Sequence, residues 1–384
     1  MRSRRAGALF LAFALAFAGT ACSSSKKSGK PKETPPTGLP PNRNEQLQKV
    51  LDDTRSQLGF PGVIAGVWSP DGTWTGVSGV ARQGGAKPPT TDMHTRIGSV
   101  TKTLTVTLVV QLASDGKLSL DDPIGKYVPG VPNAETATLR DLANMTSGIP
   151  NYASEEPFQR AYLTDPSTVF TPDQLVFFVK GQPPSFPAGT KFEYSDTNTV
   201  LLGMVIEKVT GRPFADVLRA RILTPLGLAQ TSFPAASAAI PDPHWSGVTN
   251  QGQYEGSTVD ATNWNPSWSF TAGEVISTLD NLHTWAAYLG TQPDRTTSSA
   301  YGLGVRVVDG WVGHAGEIPG FSTVINYEPA SKTTIVVLVN SDVPVNGVAP
   351  APAVFAGLAA AVGHPASADA SRDAGDQTKT EPTT

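Results

Sequence analysis

The chain has 384 residues, 39% of them hydrophobic and 33 of them proline, with one cysteine and a formal charge of −4. That length holds two ordinary domains or one large domain with an insertion. Eight of the 29 basic residues (Arg2, Arg4, Arg5, Lys26, Lys27, Lys30, Lys32 and Arg43) lie before residue 44, so the rest is more acidic than the total suggests. A body of that charge argues against a phosphate-binding face, and nucleic acid is not an expected partner.

The elements follow in chain order. Arg2, Arg4 and Arg5 precede a short apolar run, the pattern of an export signal over residues 1–21. The run is too short for a transmembrane span, which needs about 20 apolar residues. Gly19-Thr20-Ala21-Cys22-Ser23 resembles a bacterial lipoprotein processing site, although Gly19 stands where an aliphatic residue is usual. The resemblance implies lipidation of Cys22 and anchoring on the outer face of the cytoplasmic membrane. Cleavage without a lipid would instead give a secreted, soluble protein. A lone cysteine makes no intramolecular disulfide, which removes the commonest structural reason to keep one outside the cell. Residues 22–44, rich in Ser, Lys and Pro, read as a flexible tether. Residues 364–384 read as a disordered tail.

Between these ends, 45–363 reads as one unit without internal repeats. A helix is expected over 47–58, ending before Gly59. Strands over 63–68 and 73–81 flank Asp71-Gly72, and strands over 303–308 and 311–314 flank Asp309-Gly310, both hairpin signals. Further strands are expected over 322–327 and 333–340, the latter apolar enough to be covered on both faces. The middle carries helical spacing over 104–112, 139–145, 172–179, 200–209, 214–222 and 275–289. The predicted fold is therefore α+β: an antiparallel sheet built from both chain ends (about 45–98 and 300–363), flanked by helices and interrupted by a mainly helical part (about 99–299). An active site at the junction of the two parts is the natural expectation.

Ser99-Val100-Thr101-Lys102 is a Ser-x-x-Lys spacing, which also recurs at Ser23/Lys26, Ser24/Lys27 and Ser114/Lys117. Ser99 is set apart by lying where a polar turn opens into an apolar helix. On a helix, residues three apart share a face, so the Lys102 amine can reach the Ser99 hydroxyl. A serine hydroxyl needs a nearby base to become a nucleophile. Tyr194, in Glu193-Tyr194-Ser195-Asp196-Thr197-Asn198, offers a phenol to share the proton transfer; alone it would read as a half-buried aromatic. Gly313-His314-Ala315-Gly316-Glu317 ends a strand whose small residues would let a substrate lie along its edge. There a backbone N–H could join that of Ser99 in holding an oxyanion.

With Arg96-Ile97-Gly98 before Ser99, Asp121-Asp122-Pro123, Thr146-Ser147-Gly148-Ile149-Pro150, Phe186-Pro187-Ala188-Gly189-Thr190, Pro225-Leu226-Gly227-Leu228 and Pro319-Gly320-Phe321 in order, these segments resemble the penicillin-recognising serine hydrolases. The branch is that of class C β-lactamases, D-alanyl-D-alanine carboxypeptidases and related esterases. The resemblance implies a β-lactamase/transpeptidase-like fold, Ser99 as acylated nucleophile, Lys102 as its proton partner and Tyr194 as general base. It also implies an oxyanion hole from the Ser99 and Glu317 N–H groups, with Asp196, His314, Ala315 and Gly316 meeting substrate. His314 would orient Tyr194 and contact a substrate carboxylate. No metal or organic cofactor is implied.

One departure stands out. Asp196 occupies the place where relatives usually carry Asn. An Asn amide both donates and accepts, whereas an ionised Asp only accepts. The expectation is weaker recognition of acyl-amide substrates and a tilt toward esters or an unusual peptide, with Asn198 as a substitute amide. Trp245, Trp264, Trp268 and Phe270 are expected either as an acyl-binding wall or as core. The predicted function is a serine hydrolase working through an acyl-enzyme on D-alanyl peptide (a cell-wall precursor), β-lactam or ester. The competing reading is an inactive relative that binds wall peptide or a partner; a solute-binding lipoprotein fits the tether but leaves the motifs unexplained.

Overall fold

The computed structural model describes residues 39–252, 257–292, 295 and 301–367. The expected signal segment, Cys22, most of the expected tether and the expected tail from 368 onward lie outside the described residues.

Helix α1 (Pro41–Leu58) starts with proline at its first turn and stops at Gly59, whose left-handed backbone lets its N–H reach the Arg55 carbonyl. Residues 41–44, expected in the tether, are instead helical. Leu39 is buried, and the Arg43 guanidinium donates to the Ala361 carbonyl at 2.6 Å. Strands β1 (Gly62–Ser69) and β2 (Gly72–Gly79) form the first expected hairpin, with Ser69 opposite Gly72.

The helical part follows β3 (Thr95–Arg96) and contains α2 (Thr101–Ser114), α3 (Leu139–Ala143), α4 (Glu156–Thr164), α5 (Pro172–Phe177), α6 (Asp196–Thr210) and α7 (Phe214–Leu218). Both α3 and α5 begin with a reciprocal capping box, Thr138 with Asp141 and Thr171 with Gln174. The short pair β4 (Val248–Thr249) and β5 (Val259–Asp260), then α8 (Phe270–Gly273), β6 (Ile276–Ser277) and α9 (Leu279–Gly290), lead back to the sheet. The helix expected from 275 starts only at Leu279, because Ile276 and Ser277 pair with Arg96 and Thr95 as strand.

Strands β7 (Arg306–Val308), β8 (Trp311–Ile318), β9 (Phe321–Glu328) and β10 (Thr333–Val339) precede α10 (Pro350–Ala361). The β7–β8 turn is Asp309-Gly310 with both residues at positive φ, the geometry that matches strand twist in a two-residue hairpin. Strand β7 is shorter than the expected 303–308, since Gly304 is left-handed and lies against Val106. The sheet runs β2-β1-β10-β9-β8-β7, every neighbouring pair antiparallel. Both chain ends thus build one sheet, as expected.

Alternation along β10 shows how the sheet is covered. Ile335, Val337 and Val339 face α1 and α10, where Leu47, Leu51, Val354, Phe355 and Leu358 pack on them. Val336 and Leu338 face the other way, into the core shared with α2, α6 and α9. Residues 364–367 were expected in the tail, yet they are held: His364 Nδ1 lies 2.9 Å from Glu328 Oε2, and the Ser367 N–H donates to Asp309 at 2.9 Å. No helix among the described residues is long and apolar enough to cross a membrane.

Candidate active site

Ser99 sits in a single 3-10 turn (Gly98–Val100) that runs directly into α2. The Thr-Lys-Thr-Leu-Thr-Val-Thr opening of α2 is rich in β-branched residues and is a weak helix former by itself. It is helical because it is buried on nearly every side and its hydroxyls are satisfied locally. Thr103 Oγ1 donates to the Val100 carbonyl at 2.7 Å and accepts from Trp285 Nε1 at 2.7 Å, while Thr105 donates to the Thr271 carbonyl at 2.7 Å.

One helical turn after Ser99, Lys102 is fully buried. Its Nζ lies 2.9 Å from Ser99 Oγ, 3.0 Å from the Ala272 carbonyl and 2.7 Å from Asp196 Oδ1. An ammonium has three donors, and here three acceptors meet them. The residue in the usual Asn place, Asp196, is thus ion-paired with Lys102.

Tyr194 reaches the same point from the extended segment before α6. That segment is sewn to the loop after α3: the Glu193 N–H donates to the Met145 carbonyl at 3.0 Å, Thr197 Oγ1 to the Pro150 carbonyl at 2.7 Å, and the Tyr152 N–H to Thr197 Oγ1 at 3.0 Å. The Gly189 and Ser185 N–H groups donate to the Thr146 and Gly148 carbonyls in turn. The motifs at 146–150 and 186–190 thus act as the scaffold that carries Tyr194. The buried Tyr194 ring stands 4.9 Å from Lys102 Nζ, packed with Met145 and Tyr301.

Strand β8 supplies the third wall. Its pairing with β7 ends at Gly313, and beyond that its outer edge lies against the Ser99 turn. Two glycines permit this approach. A Cβ on Gly98, which is left-handed, would lie 2.7 Å from the Glu317 nitrogen; one on Gly316 would lie 2.1 Å from the Ile97 carbonyl and 2.9 Å from the Ser99 nitrogen. The backbones of Ser99 and Glu317, the expected oxyanion donors, are therefore neighbours, and Ala315 and Gly316 line the same edge.

His314 departs from its expected role. It is buried with both ring nitrogens engaged: Nδ1–H donates to the Ala315 carbonyl, and Nε2 accepts from the Tyr301 hydroxyl at 3.0 Å. Burial pushes its pKa down to about 3, helped by the charges of Lys102 and Arg306 and opposed by the Ala315 bond and Asp196. A neutral, saturated imidazole has no proton to offer a substrate carboxylate. Its ring is 6.4 Å from that of Tyr194, centroid to centroid, with Tyr301 edge-on to both. Tyr301, which no motif pointed to, holds the His314 ring by its hydroxyl and packs edge-on against Tyr194.

Asn198 does not substitute for the missing amide. It is buried, accepting from Ser147 Oγ at 2.6 Å and donating to the Met145 sulfur at 3.3 Å. Trp245 and Trp268 belong to the core: Trp245 is buried, and Trp268 packs against Phe158 and Tyr162. Phe270 packs on Phe214 and Phe233. The adjoining Ala272 is the part of this stretch that meets the site, through its carbonyl. Asp121 and Asp122 hold local structure: Asp122 accepts from Tyr127 and the Ser119 N–H, and the Tyr127 bond leads in lowering its pKa to about 2.

Known proteins with this arrangement agree on its lineage. In sequence, the chain is 34% identical over 194 residues to penicillin-binding protein 4 of Amycolatopsis lactamdurans, covering 48% of each chain. It spans between 48% and 61% of the length of the curated relatives it matches first. In structure, it is similar to a D-stereospecific amidohydrolase from Streptomyces sp. (32% identity, TM-score 0.71, covering 78% of this chain and 94% of that one). It is also similar to the D-amino acid amidase of Ochrobactrum anthropi SV3 (25% identity, TM-score 0.72, covering 84% and 99%). The Beta-lactamase family model matches residues 47–359, and the chain belongs to that family of serine hydrolases.

Proposed function

We propose that this chain hydrolyses D-aminoacyl amides, peptides or esters through an acyl-enzyme on Ser99. The observation that carries the reading is the set of contacts around Lys102. With its three donors directed at Ser99 Oγ, Ala272 O and Asp196 Oδ1, Lys102 acts as an ammonium that orients the Ser99 hydroxyl. The base is then Tyr194. As Ser99 Oγ bonds to the substrate carbonyl carbon, its proton passes to the Tyr194 oxygen. For this Tyr194 enters the step as the phenolate, whose negative charge the Lys102 charge, 4.9 Å from the ring, stabilises, and it becomes a neutral phenol on taking the proton. The carbonyl oxygen becomes an oxyanion held by the N–H groups of Ser99 and Glu317. Collapse breaks the bond to the leaving group, which takes the proton back from Tyr194. Water then attacks the acyl-enzyme by the same relay and releases Ser99.

The two structural neighbours are D-stereospecific amide hydrolases by name, which supports an amide or ester of a D-amino acid over a β-lactam. The sequence features at residues 1–22 support export with a lipid on Cys22, so the reaction would run outside the cytoplasmic membrane. The test is intact-protein mass after exposure to an activated ester, a D-amino acid amide and a penicillin, with Ser99→Ala as control. A Ser99-dependent acyl adduct or turnover is expected. Neither adduct nor turnover with any of the three would overturn the reading in favour of a binding protein in which the Lys102–Asp196 pair has silenced the site.

A further inference from the structure

We infer that the Asp196 carboxylate is a subsite for the free α-ammonium group of the substrate, so that the enzyme acts on D-aminoacyl amides or esters whose amino group is unblocked. The inference rests on the reaction proposed above and narrows its substrate.

Three observations lead to it. First, Asp196 lies 2.7 Å from Lys102, but Lys102 is wholly buried while the Asp196 side chain keeps 17% of its surface open. The part of this ion pair that a ligand meets is the carboxylate. Second, the carboxylate makes no hydrogen bond to a described residue beyond that pair, so acceptor capacity is left over. Third, the residue expected to receive a substrate carboxylate cannot do so. His314 is buried, and both its nitrogens are taken by Tyr301 and Ala315.

An acceptor-only group at this place has a definite chemical consequence. A blocked substrate brings an amide carbonyl, which is also an acceptor, and two acceptors facing each other repel. An unblocked substrate brings an ammonium with three donors and a positive charge, and a charge-assisted hydrogen bond forms. Phe192 stands half-exposed beside Tyr301, ring centroids 5.6 Å apart, and Tyr301 lies 6.3 Å from Tyr194. This aromatic edge offers the side chain of such a substrate an apolar surface beside Tyr194.

The test compares D-phenylalanine p-nitroanilide with its N-acetyl derivative, in the wild-type enzyme and in Asp196→Asn. A charge-assisted bond corresponds to roughly tenfold or more in kcat/KM in favour of the free amine. Asp196→Asn is expected to abolish or invert that ratio, whatever it does to absolute rates through Lys102. The wild-type ratio should also fall as pH rises through about 8, where an α-ammonium loses its proton, and the Asn variant should show no such fall. A purely structural role for Asp196 would not produce this pH signature. Equal rates on the two compounds, or preference for the acetylated one, would overturn the inference. So would faster hydrolysis of a D-alanyl-D-alanine peptide, which would show that a leaving-group carboxylate, and not an ammonium at Asp196, decides recognition. p-Nitrophenyl acetate, which carries no amino group, separates the two levels of the argument. Ser99-dependent acylation by it alongside equal anilide rates sinks the subsite and keeps the reaction, whereas its failure sinks the reaction.

Discussion

Replacing Gly316 with alanine tests the oxyanion geometry directly. The added methyl would sit 2.1 Å from the Ile97 carbonyl oxygen, and must move by about 1.3 Å to reach the 3.4 Å of an ordinary contact. Neither side yields easily: β8 is paired to β9 from Val312 to Ile318, and the turn at 98–100 leads into buried α2. The displacement therefore opens the gap between the Ser99 and Glu317 N–H groups. A misplacement of about 1 Å, or the loss of one oxyanion donor, costs on the order of 100-fold or more in rate. The overpacking itself costs about 1–3 kcal/mol of stability, a loss a domain of this size tolerates. Burst kinetics with p-nitrophenyl acetate should show acylation slowed at least about 100-fold, with a lowered but cooperative melting transition by circular dichroism. A folded variant acylating at the wild-type rate would refute the placement of β8 against the Ser99 turn.

Other expectations follow from the same contacts. Lys102→Met should abolish the Ser99 adduct and lower stability in urea by about 3 kcal/mol, because it leaves Asp196 without its partner; adding Asp196→Asn should restore much of the stability and none of the activity. If the single variant is as stable as the wild type, the ion pair is not formed. Burial raises the Asp342 pKa from 3.8 to about 6, against hydrogen bonds from Gly320, Thr249 and Gln251. The folded state thus binds a proton that the unfolded chain releases, so this group's stabilisation is complete below about pH 4 and lost as pH rises to about 6. Melts of Asp342→Asn across that window should lose a stability drop of up to about 3 kcal/mol; an unchanged pH profile would contradict the assignment. His314 works in the opposite sense: its depressed pKa means that stability falls as acid is added below pH 6.5. Nitrogen NMR should show its ring neutral, protonated on Nδ1, from pH 5 to 9, and a titration midpoint near 6.5 would show that the ring is not buried.

Much of this site could be read from the chain because it depends on local spacing. The three-residue separation of Ser99 and Lys102 is a statement about one turn of helix, and the structure makes it a 2.9 Å contact. The hairpins were legible because Asp-Gly meets a backbone requirement that few pairs satisfy. Alternation also places 314 and 316 on one face of β8. It cannot say what occupies the nitrogens of His314, since Tyr301 approaches through tertiary packing with no motif to mark it. The same limit hid α10: Pro350–Ala361 is small and apolar all round, so no stripe announces a helix whose burial comes from α1 and the sheet. Asn198 was misplaced for a related reason, because its neighbours in space, Ser147 and Met145, belong to a loop some 50 residues earlier.

The hydrogen bond from the Gly62 N–H to Asn340 Oδ1 spans 278 residues, and the whole β1–β10 ladder shares that reach. Ser99 and Lys102 are made early, on the 3-10 turn and the first turn of α2 that follows it, while the strand that faces them is made near the end. A chain interrupted before β8 would carry the reactive pair without the Glu317 N–H, and without β10 to hold the sheet's two halves together. The reaction proposed on Ser99 would consequently need the late strands in place as well as the early turn that carries the serine. Nascent or clipped chains would be inert, however intact their Ser-x-x-Lys turn.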